Sequence, residues 1–263
     1  MTDTTPIDLA HAAMENAPED ATLRLQFYEK LAASELFLLI TEEMTGDSVS
    51  PEVFDLSDSR FVLVFDREER LAQFMGRVAP YASLSGRIIA SMLEGQGIGL
   101  GVNLEVAPSS ILIPADAVDW LARTLQAAPE QLETRLQKFS APRGLPESLL
   151  MALDSKLASA TGLARAAYLV GVSYEQGGQG HLLAFVDALP GAEAALAQAA
   201  NEALTFSGIE AGSIDVGFFD NTDPLVGPLT ECGLRFDLPD PVQGQNITTT
   251  APGMDPDKPP LLR

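Results

Sequence analysis

The sequence predicts an α+β protein made of two mixed α/β domains, each a short mixed or antiparallel sheet flanked by helices. Three observations carry that expectation. Helical and strand periodicities alternate along the chain. Several apolar, strand-like runs are separated by no more than a turn, which favours hairpins over a doubly wound parallel sheet. Finally, 46% of the 263 residues are hydrophobic, while Lys+Arg 16 stand against Asp+Glu 37 for a net charge of -21. Disordered acidic chains are poor in apolar residues, so this one reads as a real core under a strongly negative coat.

The elements follow in order. Thr5 is a capping residue, Pro6 suits a first helical position, and Leu9, Ala12 and Ala13 share one helical face. A second helix is expected from near Pro18 to about Ala33, with Leu23, Phe27 and Leu31 as its apolar stripe. Glu35 to Ile40 is strand-like, and so are Val53 to Leu56 and Arg60 to Phe65, with Asp58-Ser59 as the turn between the last two. Asp66 reads as an N-cap with Glu69 completing a capping box, ahead of a helix that buries Leu71, Phe74 and Met75. Ser85 caps a further helix carrying Ile88, Ile89, Met92 and Leu93, which Gly95 and Gly97 are suited to end. Ile98 to Val102 and Ser110 to Ile113 are strands, and Pro114 opens a helix with Val118, Leu121 and Leu125 inward.

From Gln126 to Pro146 the pattern fits either a helix through Leu132 and Leu136 or a strand, and Pro/Gly punctuation then interrupts it. Pro146 to Ala158 is a helix. Arg165 to Tyr174 and His181 to Val186 form a hairpin about the glycine-rich run at 175–180. A helix from about Pro190 to Leu204 and strands at Ser213 to Phe219 and Leu234 to Leu238 complete the second half. Domain limits of 1–125 and 126–238 follow, with 239–263 an irregular proline-rich tail.

Composition excludes several classes. A single cysteine, Cys232, makes no internal disulfide. The start lacks a basic, then apolar, leader, and no apolar run approaches the roughly 20 residues that cross a bilayer. A cytoplasmic protein that does not enter membranes is expected. The negative coat and the lack of a basic stripe interleaved with aromatics argue against nucleic acid; the coat serves solubility first, and where it serves binding it suits a basic protein partner.

The candidate sites are few. His11 and His181 are the only imidazoles; neither neighbours a serine or cysteine in an elbow pattern, and both read as surface or strand-edge residues. Cys232 adjoins Glu231, which raises a thiol's pKa and blunts it. Asp215, Asp220 and Asp223 surround the Phe218-Phe219 strand end and are the only metal candidates, although the run Asp220-Asn221-Thr222-Asp223-Pro224 is first of all a turn. Glu42, Glu43, Asp47 and Glu52 read as a solvated loop. Gly95-Gln96-Gly97-Ile98-Gly99 precedes a strand, the wrong order for a dinucleotide fingerprint. The Asn246-Ile247-Thr248 sequon carries no weight without secretion. Trp120, the lone tryptophan, reads as a packing residue. No cofactor is expected.

Leu63-Val64-Phe65-Asp66, followed by Glu68, Glu69 and Leu71, and then the glycine-led run Gly97-Ile98-Gly99-Leu100-Gly101-Val102-Asn103, resemble the SseB-like family, named for enhanced serine sensitivity. Where the family reads Ala-Phe-Thr and an acid, this chain has Val64-Phe65-Asp66; where it often has Asn-Pro, this chain has Asn103-Leu104. The resemblance spans about residues 20 to 125. It implies an α+β N-terminal domain with a second domain behind it, and it brings no catalytic residues. The expected function is therefore a non-enzymatic protein-binding or regulatory one. The alternative is a small-ligand or divalent-cation binder, or an enzyme, that works through carboxylates.

Overall fold

Thr5 and Pro6 start a helix for the reasons their positions predict. In the computed structural model, which describes residues 4–42, 49–56, 59–126, 136–174, 179–208 and 214–239, α1 (Pro6–Asn16) opens on a complete capping box between Thr5 and Asp8. Its buried face is not the expected one. Ile7, Asp8, His11 and Met14 point inward, while Leu9 is 64% exposed. Two helical stripes compete here, and the less apolar one wins because Asp8 meets a buried guanidinium on another element. His11 is correspondingly a buried residue packed edge-on against Phe27, not a surface one.

Asp20 caps α2 (Ala21–Ala33), which buries Phe27 and Leu31. The first sheet follows: β1 (Glu35–Leu39), β2 (Val53–Leu56), β3 (Ser59–Phe65), β4 (Tyr81–Ser85), β5 (Ile98–Val102) and β6 (Ile111–Ile113). Its order is β4-β1-β3-β5-β6. β2 extends the line of β1 along the same edge of β3, beyond a bridge between Ile40 and Pro51. Only β3 and β5 are parallel; the other pairs are antiparallel. α3 (Glu68–Met75) joins β3 to β4, and α4 (Gly86–Leu93), capped by Ser85 as expected, joins β4 to β5. α5 (Ala115–Gln126) follows β6. One sheet face, with Leu36, Leu38, Val62, Val64, Leu100 and Val102, is sealed by α1, α2, α4 and α5. The other face carries Leu39, Leu63 and Phe65 and is roofed over only part of its width by α3.

The second sheet is also mixed, in the order β10-β9-β8-β11, with β7 beside β8 as well. The ambiguous stretch after Gln126 contains a strand, β7 (Leu136–Ser140). β8 (Ala166–Tyr174) and β9 (Gln179–Val186) form the expected antiparallel pair. α7 (Glu193–Phe206) then crosses over so that β10 (Ile214–Phe219) lies parallel to β9. α6 (Glu147–Ser159) packs beside α7 on one face, and β11 (Leu234–Asp237) closes the β8 edge. The short α8 (Val226–Cys232) covers the other face with Leu229.

The two sheets are joined by a polar knot. Glu202 on α7, 2% exposed, receives a bidentate pair of bonds from Arg87 on α4 at 2.9 Å each, one from Lys156 on α6 at 2.8 Å and one from Gln198 at 3.0 Å. Lys156 also lies 3.6 Å from Glu29 of α2. Beside this knot Trp120 packs edge-on against Tyr28 and Phe206, with centroids at 5.5 and 6.4 Å, as a packing residue should.

Two elements escape the sequence pattern, β4 and α8. One assignment is corrected: Asp66 is not the cap of α3, which starts after Arg67 without a side-chain cap, because the Asp66 carboxylate is engaged elsewhere. Asp58, Glu43, Asp47, Leu132, the glycine turn at 177–178, and the tail from Asp240 with its Asn246 sequon lie outside the described residues.

Candidate functional site

The residues of the two sequence motifs converge at the carboxyl ends of the parallel pair β3 and β5. Asp66 follows β3 and Asn103 follows β5. The Asp66 amide donates to Asn103 Oδ1 at 3.1 Å, and the Asn103 amide donates to the Val64 carbonyl at 2.9 Å. Asn103 Nδ2 donates to Ser109 Oγ at 2.9 Å, and Ser109 donates to Asp8 Oδ1 at 2.5 Å. Arg70, one turn into α3, forks between Asp8 (2.5 and 3.0 Å) and Asp66 (2.8 and 3.1 Å). Thr5 Oγ1 completes the set by donating to Asp66 at 2.5 Å.

Arg70 and Asp8 are each 4% exposed, Asn103 and Ser109 are 0% exposed, and among the described residues no buried side-chain polar atom lacks a partner. Burial alone would raise the Asp8 carboxyl's pKa. The bonds from Arg70, Ser109 and the Thr5 amide more than reverse that and hold it well below the usual carboxylate range. A charged cluster this enclosed and this fully engaged fixes geometry and leaves nothing for a substrate. What it fixes is the docking of α1 and the loop from Asn103 to Ser110.

That loop builds a second feature. Asn103 (φ 50°) and Glu105 (φ 61°) both occupy the left-handed region. Asn tolerates this, but for Glu it costs about 1–2 kcal/mol, and such strain persists only where the surroundings impose it. Here the imposing contacts are the Asn103–Ser109 bond and a 3.2 Å bond from the Glu105 amide to Ser110 Oγ. The turn lays Leu104 across Gly101, where a Cβ would come within 2.9 Å of the Leu104 side chain. Gly99 likewise lets the Phe61 ring lie flat on β5, at 2.6 Å from where its Cβ would be. The glycine-led strand of the motif thus makes room for the side chains of Phe61, Leu63 and Leu104. Leu63 and Leu104 in turn help wall an apolar groove of about 630 Å³ between β2, α3 and β6, together with Phe54, Leu56, Phe74 and Leu112, with Glu105 in its lining. Leu56 and Leu112 are 44% and 43% exposed. Sequence reasoning missed this groove. Its signal was the spacing of Gly99 and Gly101 beneath a strand rich in Phe.

The sequence candidates fall elsewhere. Asp215 sits on β10 and accepts a hydrogen bond from the Tyr174 phenol. Asp220 and Asp223 lie in the turn after β10, where Asp223 Oδ1 takes the Leu225 amide at 2.8 Å. Asp215 and Asp220 are five residues apart along an extended strand, about 16 Å. Among the described residues, no three His, Cys, Asp or Glu side chains are grouped to hold a metal ion. His181, half-buried on β9, places Nε2 3.1 Å from the Arg143 carbonyl. Burial, and then Glu231, push the Cys232 thiol up, and its Sγ bonds the Pro228 carbonyl at 3.1 Å. No helix among the described residues is long and apolar enough to cross a membrane.

Neither the curated proteins nor the solved structures give a match to this chain. Residues 9–120 match the family model of the SseB protein N-terminal domain. That span begins one residue after Asp8 and takes in the whole first sheet, the Asp66–Arg70–Asn103–Ser109 cluster and the groove beside it, so this part of the chain is similar to the SseB protein N-terminal domain, which supports the SseB-like assignment.

Proposed function

We propose that the chain is a non-enzymatic, cytoplasmic protein-binding protein that docks a basic partner. In this reading residues 1–125 and 126–238 are its two domains, 239–263 is a tail, and the first domain does the docking. One observation supports it above the others: a preformed apolar groove, held open by a strained loop on a buried ionic cluster, in a chain of net charge -21. An exposed apolar concavity of this size is where a partner's apolar side chains go. The surrounding negative field and Glu105 select lysine or arginine on either side of those anchors, and they speed encounter with a basic surface.

The test places a photo-crosslinking amino acid at Leu112 in the groove or, as a control, at Ile88 on α4, which is 47% exposed. Crosslinking to a basic protein from position 112 and not from 88 is expected. It should fade at high ionic strength and fall at least tenfold on adding Leu56→Asp. Equal yields from both positions, or a yield indifferent to Leu56→Asp, defeat the reading. Indifference to salt alone removes its electrostatic part.

A further inference from the structure

The apolar groove of the first sheet has an acid in its lining and no cation to answer it. The left-handed turn sets Glu105 there, and its carboxylate makes no ion pair among the described residues. The rest of the wall is mainly two phenyl rings, Phe54 and Phe74, and leucines. Aromatic-lined grooves suit proline-rich segments, whose rings offer apolar surface without backbone donors. A lone acid in the lining adds a preference for a cation next to those rings.

This chain carries such a segment itself. Lys258-Pro259-Pro260-Leu261-Leu262-Arg263 sets two prolines and two leucines between two cations, and these are the only lysine and arginine after Arg235. Asp255 and Asp257 lie on the far side of Lys258 from the leucines. A proline ring fixes φ near −65° and leaves no amide hydrogen, so a Pro-Pro step has little freedom to lose on docking. The segment lies outside the described residues and is tethered to them at Pro239, whose carbonyl accepts from the Gly162 amide at 2.8 Å. Reach does not limit it. The linker 240–257, at ~3.3 Å per residue, spans up to roughly 60 Å. A folded chain of this length has a radius of gyration of about 18 Å. Such a tether gives an effective concentration on the order of millimolar, so a contact too weak to form between molecules is populated within one. The long-range field acts in the same direction, drawing the two cations toward a body of net charge -21.

We propose that residues 258–263 occupy this groove in cis, with Leu261 and Leu262 against Phe54, Phe74 and Leu112 and a flanking cation on Glu105, and that a basic partner displaces them in order to bind. The inference rests on the reading of the groove as a docking site, and it adds what covers that site when no partner is present. A self-docked segment lowers the apparent affinity for the partner by the fraction of molecules in which the groove is free.

The experiment uses the full chain, purified alone, with a photo-crosslinking amino acid at Leu112 or, as the control, at the exposed Ile88. Mass spectrometry is expected to find position 112, and not 88, joined to residues 255–263 of the same molecule. The yield should hold on tenfold dilution. It should fall at least tenfold in the double variant Leu261→Asp, Leu262→Asp, whose changes lie outside the described fold. A synthetic peptide of residues 255–263, added to that variant at millimolar concentration, should restore a crosslink at 112. The proposal falls if position 112 does not reach 255–263, if 88 reaches it equally, or if the double variant crosslinks as the parent does. It falls too if the peptide restores nothing, or if the yield drops with dilution, which would place a second copy in the groove. A basic partner caught at 112 with no crosslink to 255–263 overturns this inference and leaves the docking reading standing. The converse, a crosslink to 255–263 and no partner for the double variant, supports self-docking and overturns the partner reading.

Discussion

Replacing Arg70 with leucine is expected to destabilise the protein by about 3–5 kcal/mol in urea denaturation, a large loss for a single substitution. The reason is an asymmetry. Keeping the cluster intact adds little net stability, because three charges were stripped of water to form it. Removing the cation alone leaves Asp8 and Asp66 facing each other without compensation, together with a Ser109 hydroxyl and Thr5 caught between them. Arg70→Lys should fall between the two, since an ammonium is a point charge and does not fork to both carboxylates. A Leu variant within about 1 kcal/mol of the parent would mean that the cluster is incidental.

Glu202→Ala should cost about 3 kcal/mol or more by the same logic with the signs reversed, leaving Arg87 and Lys156 without the carboxylate that holds them. Because Glu202 also ties the helices of the two sheets together, its loss should make their unfolding transitions separable in calorimetry. The pH dependence has a definite sign. Burial would raise the Glu202 carboxyl, but bonds from Arg87, Lys156 and Gln198 bring it down to about 2 from an ordinary 4.5. A depressed carboxyl contributes stability that is fully present above its unfolded value and lost as pH falls toward its folded one. The difference is worth about 3 kcal/mol, lost between pH 4.5 and 2. Asp8 acts in the same sense. The Glu202→Gln variant should therefore show a flatter stability curve over that window, and a curve parallel to the parent's would contradict the assignment.

What the sequence revealed and what it hid divide along one line. Caps, turns and strands are local, and Thr5, Ser85, Gly95 and Pro146 were legible from their neighbours alone. The face of α1 was not, because Leu9-Ala12-Ala13 and Ile7-His11-Met14 are both helical stripes, and the choice rests on Arg70, 62 positions from Asp8. Asp66 has every local mark of an N-cap, yet a distant hydroxyl and guanidinium claim it. α8 was hidden by its own Gly227 and Pro228, and β4 by running directly into the Ser85 cap. At the candidate sites, Asp66, Asn103 and Asp215 were visible singly. Their partners Arg70, Ser109 and Tyr174 were not, because nothing along the chain says which side chains the sheet will bring side by side.

The ionic cluster also bears on how this domain is cut for expression. The family match starts at residue 9, yet Thr5 and Asp8 lie upstream of it and close the cluster. A fragment trimmed to the match would keep Arg70 and Asp66 and discard the other anion, the hydroxyl and the capped start of the first helix. Such a piece should precipitate or bind indiscriminately, whereas one beginning before Thr5 retains the whole latch.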